Sequence, residues 1–337
     1  MIPEGMVRTV TGDVLADDLG VTYMHEHLII DSHAVAERWP HILLTDTGSA
    51  IEEVAACRNS GVGTMIDAMP MASGRGPERL AEISAATGVT IVMATGLHTP
   101  KYYEALPWVE EASADQLAEW FTADIEEGAA PDDHLGDEPV ERTPHRAGIV
   151  KAATDEHGMD ARAKKLFEAA AGAAEKTGAP VITHCEEGLG GLEQVAELAR
   201  LGVPLGSVVM SHTDKVADSS YHAALLETGV NLEFDQALRQ HDVAVDGTAR
   251  LLAELIEAGY EDQLMLGTDG ARRSLWTALG GSPGLAWMAG PYRDILASVG
   301  IDESLQHKLF VENPARVLGR KKPEVRTQKS DSRIATP

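Results

Sequence analysis

The chain contains little that would stabilise it by covalent cross-links or anchor it in a membrane. Only Cys57 and Cys185 occur among its 337 residues, which excludes a disulfide framework and fits a reducing compartment. No uncharged apolar stretch reaches the roughly 18 residues that a membrane-spanning helix needs, and the first residues lack the basic and apolar regions of a signal peptide. We therefore expect a soluble, cytoplasmic protein.

Basic and aromatic residues are also scarce. Lys and Arg total 28 against 53 Asp and Glu, which gives a formal net charge of −25. Such a charge repels nucleic acid and anionic membrane surfaces, so neither is expected as a partner; an acidic surface that aids solubility is the simpler interpretation. Aromatic residues make up 4% of the chain and hydrophobic residues 44%, which predicts a core built mainly from aliphatic side chains and alanine.

Short apolar segments alternate with helical segments along most of the chain. Eight such repeats predict an α/β fold, which could be a closed (β/α)8 TIM barrel or a doubly wound open sheet. The count favours the barrel. A chain of this length suits one such barrel. The candidate strands cover residues 21–30, 61–67, 89–95, 148–152, 180–184, 207–212, 230–234 and 263–269.

The composition changes at both an internal segment and the end of the chain. The polar, acidic segment 128–144 carries three of the prolines and is expected to be an exposed loop. From residue 319 onward basic residues dominate without apolar periodicity. We expect a single barrel domain over residues 1–318 and a basic tail over 319–337 that is disordered or packs along a partner subunit.

Two histidines, His25 and His27, stand near the end of the first candidate strand. Side chains at positions i and i+2 of a strand project from the same face, so both imidazoles can reach one object. Histidine is the commonest metal ligand in proteins, which favours a metal ion as that object. A chance pairing among the thirteen histidines of the chain is the alternative.

Further polar residues stand at the carboxyl ends of later candidate strands, and in a TIM barrel these ends converge on the mouth that carries the active site. Singly, each has a structural explanation: a lysine can extend to the surface, a histidine can be satisfied in the core, and an aspartate before glycine can cap a turn. A lysine buried in the mouth must lose or offset its charge. With His25 and His27, these residues predict a six-residue metal site; they are Lys151, His184, His212 and Asp269.

The motifs around these residues resemble those of the phosphotriesterase family of the amidohydrolase superfamily, which includes organophosphate hydrolases and phosphotriesterase-like lactonases. The resemblance spans about residues 11–318. It rests on Thr-Tyr-Met-His-Glu-His-Leu (22–28), Ala-Thr-Gly-Leu (94–97), Arg-Ala-Gly-Ile-Val-Lys-Ala (146–152), Thr-His (183–184), Ser-His-Thr-Asp (211–214), Thr-Asp (268–269) and Asn-Pro-Ala-Arg (313–316).

The resemblance implies a binuclear metal site at the mouth of the barrel. His25, His27 and Asp269 would bind one divalent ion and His184 and His212 the other, with zinc as the expected metal. The second implied feature is a bridge: Lys151, carboxylated on its amine, would link the two ions together with a hydroxide. A homodimer is also implied.

The mechanism that this site implies is hydrolysis. The metal ions would supply a hydroxide that attacks a carbonyl or phosphoryl group, and one of them would polarise the oxygen of that group. Asp269 accepts the proton of the nucleophile and delivers it to the leaving group.

Positions that would face the substrate depart from the family's pattern. His98 stands where relatives have an aromatic residue, and it could donate a hydrogen bond to the substrate or be an ordinary loop histidine. Lys215 and Gln236 stand where phosphotriesterases have an aspartate and a histidine that assist proton removal, and neither can relay a proton in the same way. Arg272 and Arg273, after the eighth strand, could bind an anionic group of the substrate or be a solvated basic pair.

These features favour a metal-dependent hydrolase that acts on a lactone or another carboxylic ester. The altered relay argues against a dedicated phosphotriesterase, and the leaving alkoxide of a lactone is tethered and easily protonated. A phosphotriesterase is the second hypothesis. A barrel that binds a small ligand without turnover is the third, and the complete set of six metal ligands argues against it.

Overall fold

The computed structural model describes residues 1–131, 141–243 and 246–320. Its strands are short and, after the first two, recur with helices between them. They are β1 (Met6–Thr9), β2 (Gly12–Leu15), β3 (Val21–Glu26), β4 (Val62–Asp67), β5 (Thr90–Gly96), β6 (Ala147–Thr154), β7 (Val181–Cys185), β8 (Val208–Ser211), β9 (Asn231–Phe234) and β10 (Leu264–Leu266).

The helices alternate with these strands. A π-helical turn, Lys308–Glu312, joins the last two. They are α1 (His33–Arg38), α2 (Thr47–Asn59), α3 (Pro77–Thr87), α4 (Pro107–Glu111), α5 (Ala114–Glu126), α6 (Ala161–Thr177), α7 (Gly191–Arg200), α8 (Ser219–Leu226), α9 (Gly247–Glu257), α10 (Pro291–Ser298), α11 (Glu303–His307) and α12 (Asn313–Leu318).

Within the described ranges, strands β3 to β10 form one eight-stranded parallel sheet in sequential order. The sheet closes where the end of β10 meets β3: the backbone N–H groups of Thr268 and Asp269 donate to the carbonyl oxygen of His25 at 3.1 and 3.0 Å. The predicted TIM barrel is therefore confirmed, and the open sheet is excluded. All eight carboxyl ends face one mouth.

The barrel interior is filled by aliphatic side chains below that mouth. One buried side chain from most of the strands contributes to this layer, for example Met24, Ile149 and Met265. Val7 of the β1–β2 hairpin and Val317 of α12 join the same cluster. They pack from the amino-terminal end, where Val10 N donates to Ile91 O near the start of β5. The interior is thus closed below, and the polar side chains lie above it.

The sequence did not predict the β1–β2 hairpin or the short helices α1 and α4, which lack a strong periodic pattern. The first barrel strand also ends at Glu26 and not at residue 30. The apolar residues after Glu26 are held by contacts outside the sheet: Leu28 N donates to the Asp67 carboxylate at 2.8 Å, and Ile30 pairs with Leu44 in an isolated bridge.

Two of the predicted segments lie partly beyond the residues that the structure describes. The parts outside are 132–140 of the acidic loop and 321–337 of the basic tail. Among the helices of the described ranges, none has the length and apolar character needed to cross a membrane.

Candidate metal centre

The structure brings the six predicted ligands into one cluster at the mouth of the barrel. Each lies in a strand or shortly after one, so the strands fix their positions. Their residues are 7% exposed or less. They are His25 in β3, His27 just after it, Lys151 in β6, His184 in β7, His212 just after β8, and Asp269 shortly after β10.

Atoms that can bind metal converge within this cluster. The Nε2 atom of His27 lies 3.5 Å from Oδ1 of Asp269, and Nζ of Lys151 lies 3.5 Å from Nε2 of His25. Ligand atoms of His25, His27 and Asp269 all lie within 4.8 Å of one another. The rings of His184 and His212 have centroids 4.6 Å apart, so the second predicted pair is also adjacent.

Three buried imidazole nitrogens in the described part of the chain lack a hydrogen-bond partner: Nδ1 of His27, of His184 and of His212, the last of which lies 2.7 Å from a carboxylate oxygen of Asp235. Buried polar atoms are normally paired, so each such atom needs an explanation. The other nitrogen of His184, Nε2, lies 2.8 Å from a carboxylate oxygen of Glu186, which leaves Nδ1 as the nitrogen available to a metal ion. Imidazole and carboxylate donors in this arrangement fit a divalent ion such as zinc.

Burial keeps these histidines neutral. It lowers the pKa of His25, His27 and His212 well below the usual value, and it lowers the pKa of His184 to about 4. A neutral imidazole keeps the lone pair that a metal requires. Burial also lowers the pKa of Lys151 to about 8, although nearby carboxylates, Asp269 foremost, act in the opposite direction.

Two of the ligands have backbone angles that side-chain-bearing residues rarely adopt. The φ angle is 64° at His212 and 41° at Asp269, in the left-handed region that favours glycine. Such conformations persist where surrounding contacts enforce them. At Asp269 those contacts include Glu26, whose carboxylate accepts hydrogen bonds from the backbone N–H and the hydroxyl of Thr268 at 3.1 and 2.5 Å.

Arg239 contacts Asp269 from the loop after β9 and was not among the predicted site residues. Its Nη2 lies 2.5 Å from Oδ2 of Asp269, and Nε and Nη2 donate to the carbonyl oxygen of the same residue at 3.0 and 2.8 Å. A permanent cation, Arg239, therefore contacts Asp269.

Lys215 and Gln236 stand at the two positions where phosphotriesterases have the residues that assist proton removal. Lys215 lines the cavity, whereas the amide of Gln236 donates to Asp235.

Strand β9 and the residue that follows it supply two further carboxylates, which were not among the predicted site residues. Glu233 Oε1 lies 2.8 Å from Nδ1 of His25, and Asp235 Oδ2 lies 2.7 Å from Nδ1 of His212. A signal was present: an acidic residue inside an apolar strand, and a second one two residues later on the same face. Both residues are fully buried.

A cavity of about 180 Å³ opens above the cluster, and its wall includes two of the predicted substrate-binding residues, His98 and Arg272. The ring of His98 is buried, with its centroid 4.5 Å from that of His184 and 4.3 Å from that of Tyr102. Basic side chains form part of the wall: Lys101, Lys215, Arg239 and Arg272.

Arg273, the third predicted substrate-binding residue, does not line this cavity. Its guanidinium donates to the carbonyl oxygen of Leu43 at 3.2 Å on the exposed surface. The physical reason is local: Arg272 has extended backbone angles, φ −141° and ψ 122°, and successive side chains of an extended backbone point in opposite directions.

The chain is similar to proteins of one known family. The model of the phosphotriesterase family matches residues 5–318. A phosphotriesterase homology protein of Mycobacterium tuberculosis is 30% identical over 93% of this chain and 98% of its own. A phospho-furanose lactonase of Mycoplasmopsis synoviae is 29% identical over 92% of this chain and 91% of its own. An aryldialkylphosphatase of Saccharolobus solfataricus is 32% identical over 75% and 77%.

A solved structure agrees with these sequence matches. The crystal structure of a lactonase from Listeria monocytogenes superposes with a TM-score of 0.85 at 30% identity, covering 94% of this chain and all of that one. The arrangement of strands and helices is therefore common to both proteins.

Replacing His184 with Gln should make the metal-free protein less sensitive to acid. His184 has a folded-state pKa of about 4 against an ordinary value of 6.5, so between these pH values the unfolded chain binds more protons. The contribution of His184 to the free energy of unfolding therefore falls by about 1.4 kcal/mol per pH unit as the pH drops through this window. Urea unfolding of variant and wild type, above and within the window, measures the difference.

Burial raises the pKa of Asp67 to about 6, and buried acids of this kind change the free energy of unfolding with pH in the opposite direction. Both proteins contain them, so their contribution cancels when the variant is compared with wild type. The exposed His157 provides the control: His157→Gln should leave the pH dependence of stability unchanged. Parallel profiles for His184→Gln and wild type would contradict the prediction.

Proposed function

The chain belongs to the phosphotriesterase family, and on this premise we propose that it is a binuclear metal-dependent hydrolase of a lactone or another carboxylic ester. The observation that carries the proposal is the convergence of four buried histidines, Lys151 and Asp269 at one barrel mouth. A barrel that only binds a ligand has no use for a buried lysine and an aspartate held in a rare backbone conformation.

We assign His25, His27 and Asp269 to one metal ion and His184 and His212 to the other. The unpartnered Nδ1 atoms of His27 and His184 support this assignment. Lys151, carboxylated on its amine, would hold both ions. Its lowered pKa increases the share of neutral amine, which is the form that reacts with carbon dioxide, and carboxylation turns a costly buried cation into an anionic ligand.

When bound, the two ions would supply hydroxide near neutral pH and polarise the oxygen of the group under attack. Asp269 takes the proton of the nucleophile and returns it to the leaving group. Arg239, a permanent cation on Asp269, cannot pass that proton further. Proton transfer to a tethered alkoxide close to Asp269 therefore suits this site, which favours a lactone.

The basic wall of the cavity supports an anionic group on the substrate. Arg272, Lys215 and Arg239 line one cavity with the metal ligands, and guanidinium groups bind phosphate and carboxylate well. The name of the phospho-furanose lactonase among the relatives points to the same class. We therefore propose a lactone that carries a phosphate or carboxylate, with His98 positioned to contact its ring.

A phosphotriesterase is the second candidate, and the aryldialkylphosphatase among the relatives favours it. The absence of an acid and a histidine at positions 215 and 236 makes it the weaker one. Assembly as a homodimer, cytoplasmic location and the use of zinc stay predictions.

Asp269→Asn should abolish most of the activity, because an amide cannot accept the proton of the nucleophile. General acid–base groups contribute about 100-fold to 10,000-fold, so we expect a loss of that size in kcat. The measurement is hydrolysis of a panel of lactones, esters and phosphotriesters, together with the metal content per chain. Asp262→Asn, an exposed site at the opposite end of the same strand, is the matched control. Full activity in Asp269→Asn without bound metal would refute the proposal.

Lys151→Ala should lower both metal content and activity, because the bridge between the ions is lost. Acetate or propionate added to the variant should restore part of both, since a short carboxylate can occupy the space that the carboxylated side chain leaves. The same acids should not activate the wild type, which serves as the control. A Lys151→Ala protein that keeps two ions and full activity would exclude the bridge.

Arg272→Met should raise KM for a phosphorylated lactone by about 10-fold or more, since a charge-assisted hydrogen bond contributes about 1.5–3 kcal/mol. KM for the same lactone without phosphate should change little. Arg273→Met removes an equal charge one residue away, outside the cavity, and should affect neither substrate. Equal effects of the two substitutions would mean that only long-range charge is involved.

A further inference from the structure

Strand β9 places a buried acid, Glu233, beside Nδ1 of His25, the first histidine of the site. We propose that Glu233 is a positioning residue for the metal centre: its carboxylate accepts a hydrogen bond from Nδ1–H of His25 and thereby directs Nε2 of that ring toward the metal. The inference rests on the proposed function, because it concerns the same two ions.

The two nitrogens of the His25 ring have different surroundings. Nδ1 lies 2.8 Å from Oε1 of Glu233, and Nε2 lies 3.5 Å from Nζ of Lys151 inside the cluster. Both His25 and Glu233 are 0% exposed, so water does not compete for either contact. A carboxylate on one nitrogen fixes the tautomer that leaves the lone pair on the other.

The backbone around this contact leaves room for the carboxylate. Gly267 follows β10, and a Cβ atom there would lie 3.0 Å from Oε2 of Glu233 and 2.9 Å from Cβ of His25. Those distances are too short for a side chain. The glycine therefore allows His25 and Glu233 to lie side by side between β3, β9 and β10.

Packing alone does not explain an acid at this position. Glu233 lies between Leu232 and Phe234 in a buried strand, and within the described residues its Oε2 atom has no hydrogen-bond partner. Burial of a partly unpaired carboxylate costs folding free energy. A leucine would avoid that cost, so the contact with His25 is the feature that a carboxylate provides.

Asp235 stands two residues later and approaches a different ligand. Its Oδ2 is 2.7 Å from Nδ1 of His212 but 3.7 Å from Nδ1 of His25. The nearer contact of His25 is thus Glu233. Because His25 and His212 are assigned to different ions, loss of Glu233 should weaken one binding event and not the other.

The test is a zinc titration of chelator-stripped protein against a competing chromogenic chelator, which needs no substrate. Glu233→Leu should weaken one of the two binding events by about 10-fold to 100-fold, the range typical for such partners of metal-binding histidines. Glu233→Gln should recover most of the affinity, because the amide oxygen can accept the same hydrogen bond. Glu53→Gln is the matched control: Glu53 is equally buried but bonds Thr277 and Leu285, and its replacement should leave both events unchanged.

Urea unfolding of the metal-free proteins separates a positioning role from a structural one. Glu233→Leu leaves Nδ1 of the buried His25 without its acceptor, so some loss of stability is expected for either role; a purely structural residue would lower stability without changing the zinc affinity of the folded protein, whereas a positioning residue weakens zinc binding as well. If Glu233→Leu does not fold, Glu233→Asp serves instead, since its shorter side chain keeps the charge but loses the reach, and it should weaken the same event.

Wild-type zinc affinity at both sites in a folded Glu233→Leu or Glu233→Asp protein would overturn the inference and leave the proposed function standing. A wild-type protein that binds no divalent metal would instead overturn the proposed function and this inference with it.

Discussion

The carbonyl oxygen of His25 closes the barrel. It accepts the backbone N–H groups of Thr268 and Asp269, so the last strand is joined to the first through a residue whose side chain is itself a candidate ligand. Glu26, the next residue, holds Thr268 through its carboxylate. The contacts that close the fold therefore also set the distance between the first histidine pair and Asp269, at opposite ends of the sequence.

The site concentrates features that are unfavourable for folding. Four buried histidines must stay neutral, Lys151 lies in the interior, and Asp269 and His212 have left-handed backbone angles. An ordinary core would have apolar side chains at these positions, and the layer directly below the mouth does. The contrast between the two layers, one aliphatic and one polar, is the physical mark of a functional site on a scaffold.

Much of this arrangement could be predicted from the sequence. The candidate ligands each stand at or near the end of an apolar segment, and strand ends of a parallel barrel share one mouth; they are His25, His27, Lys151, His184, His212 and Asp269. Arg239 could not be found in this way, because it lies in a 3-10 turn after β9 and only the path of that loop brings it to Asp269. Loop conformation depends on long-range packing and leaves no periodic pattern in the sequence.

By itself the sequence favoured the barrel over an open sheet and determined the approximate bounds of the strands and the residue types at their ends, because apolar periodicity and residues at strand ends are local properties. Tertiary structure decided which side chains contact the candidate ligands and which line the cavity above them. Glu233 became a partner of His25 only through the neighbouring positions of β9, β10 and β3. Arg272 lines the cavity and Arg273 does not, because the backbone at Arg272 is extended and successive side chains point in opposite directions. These relations depend on distances between segments far apart in the chain, which no local pattern records.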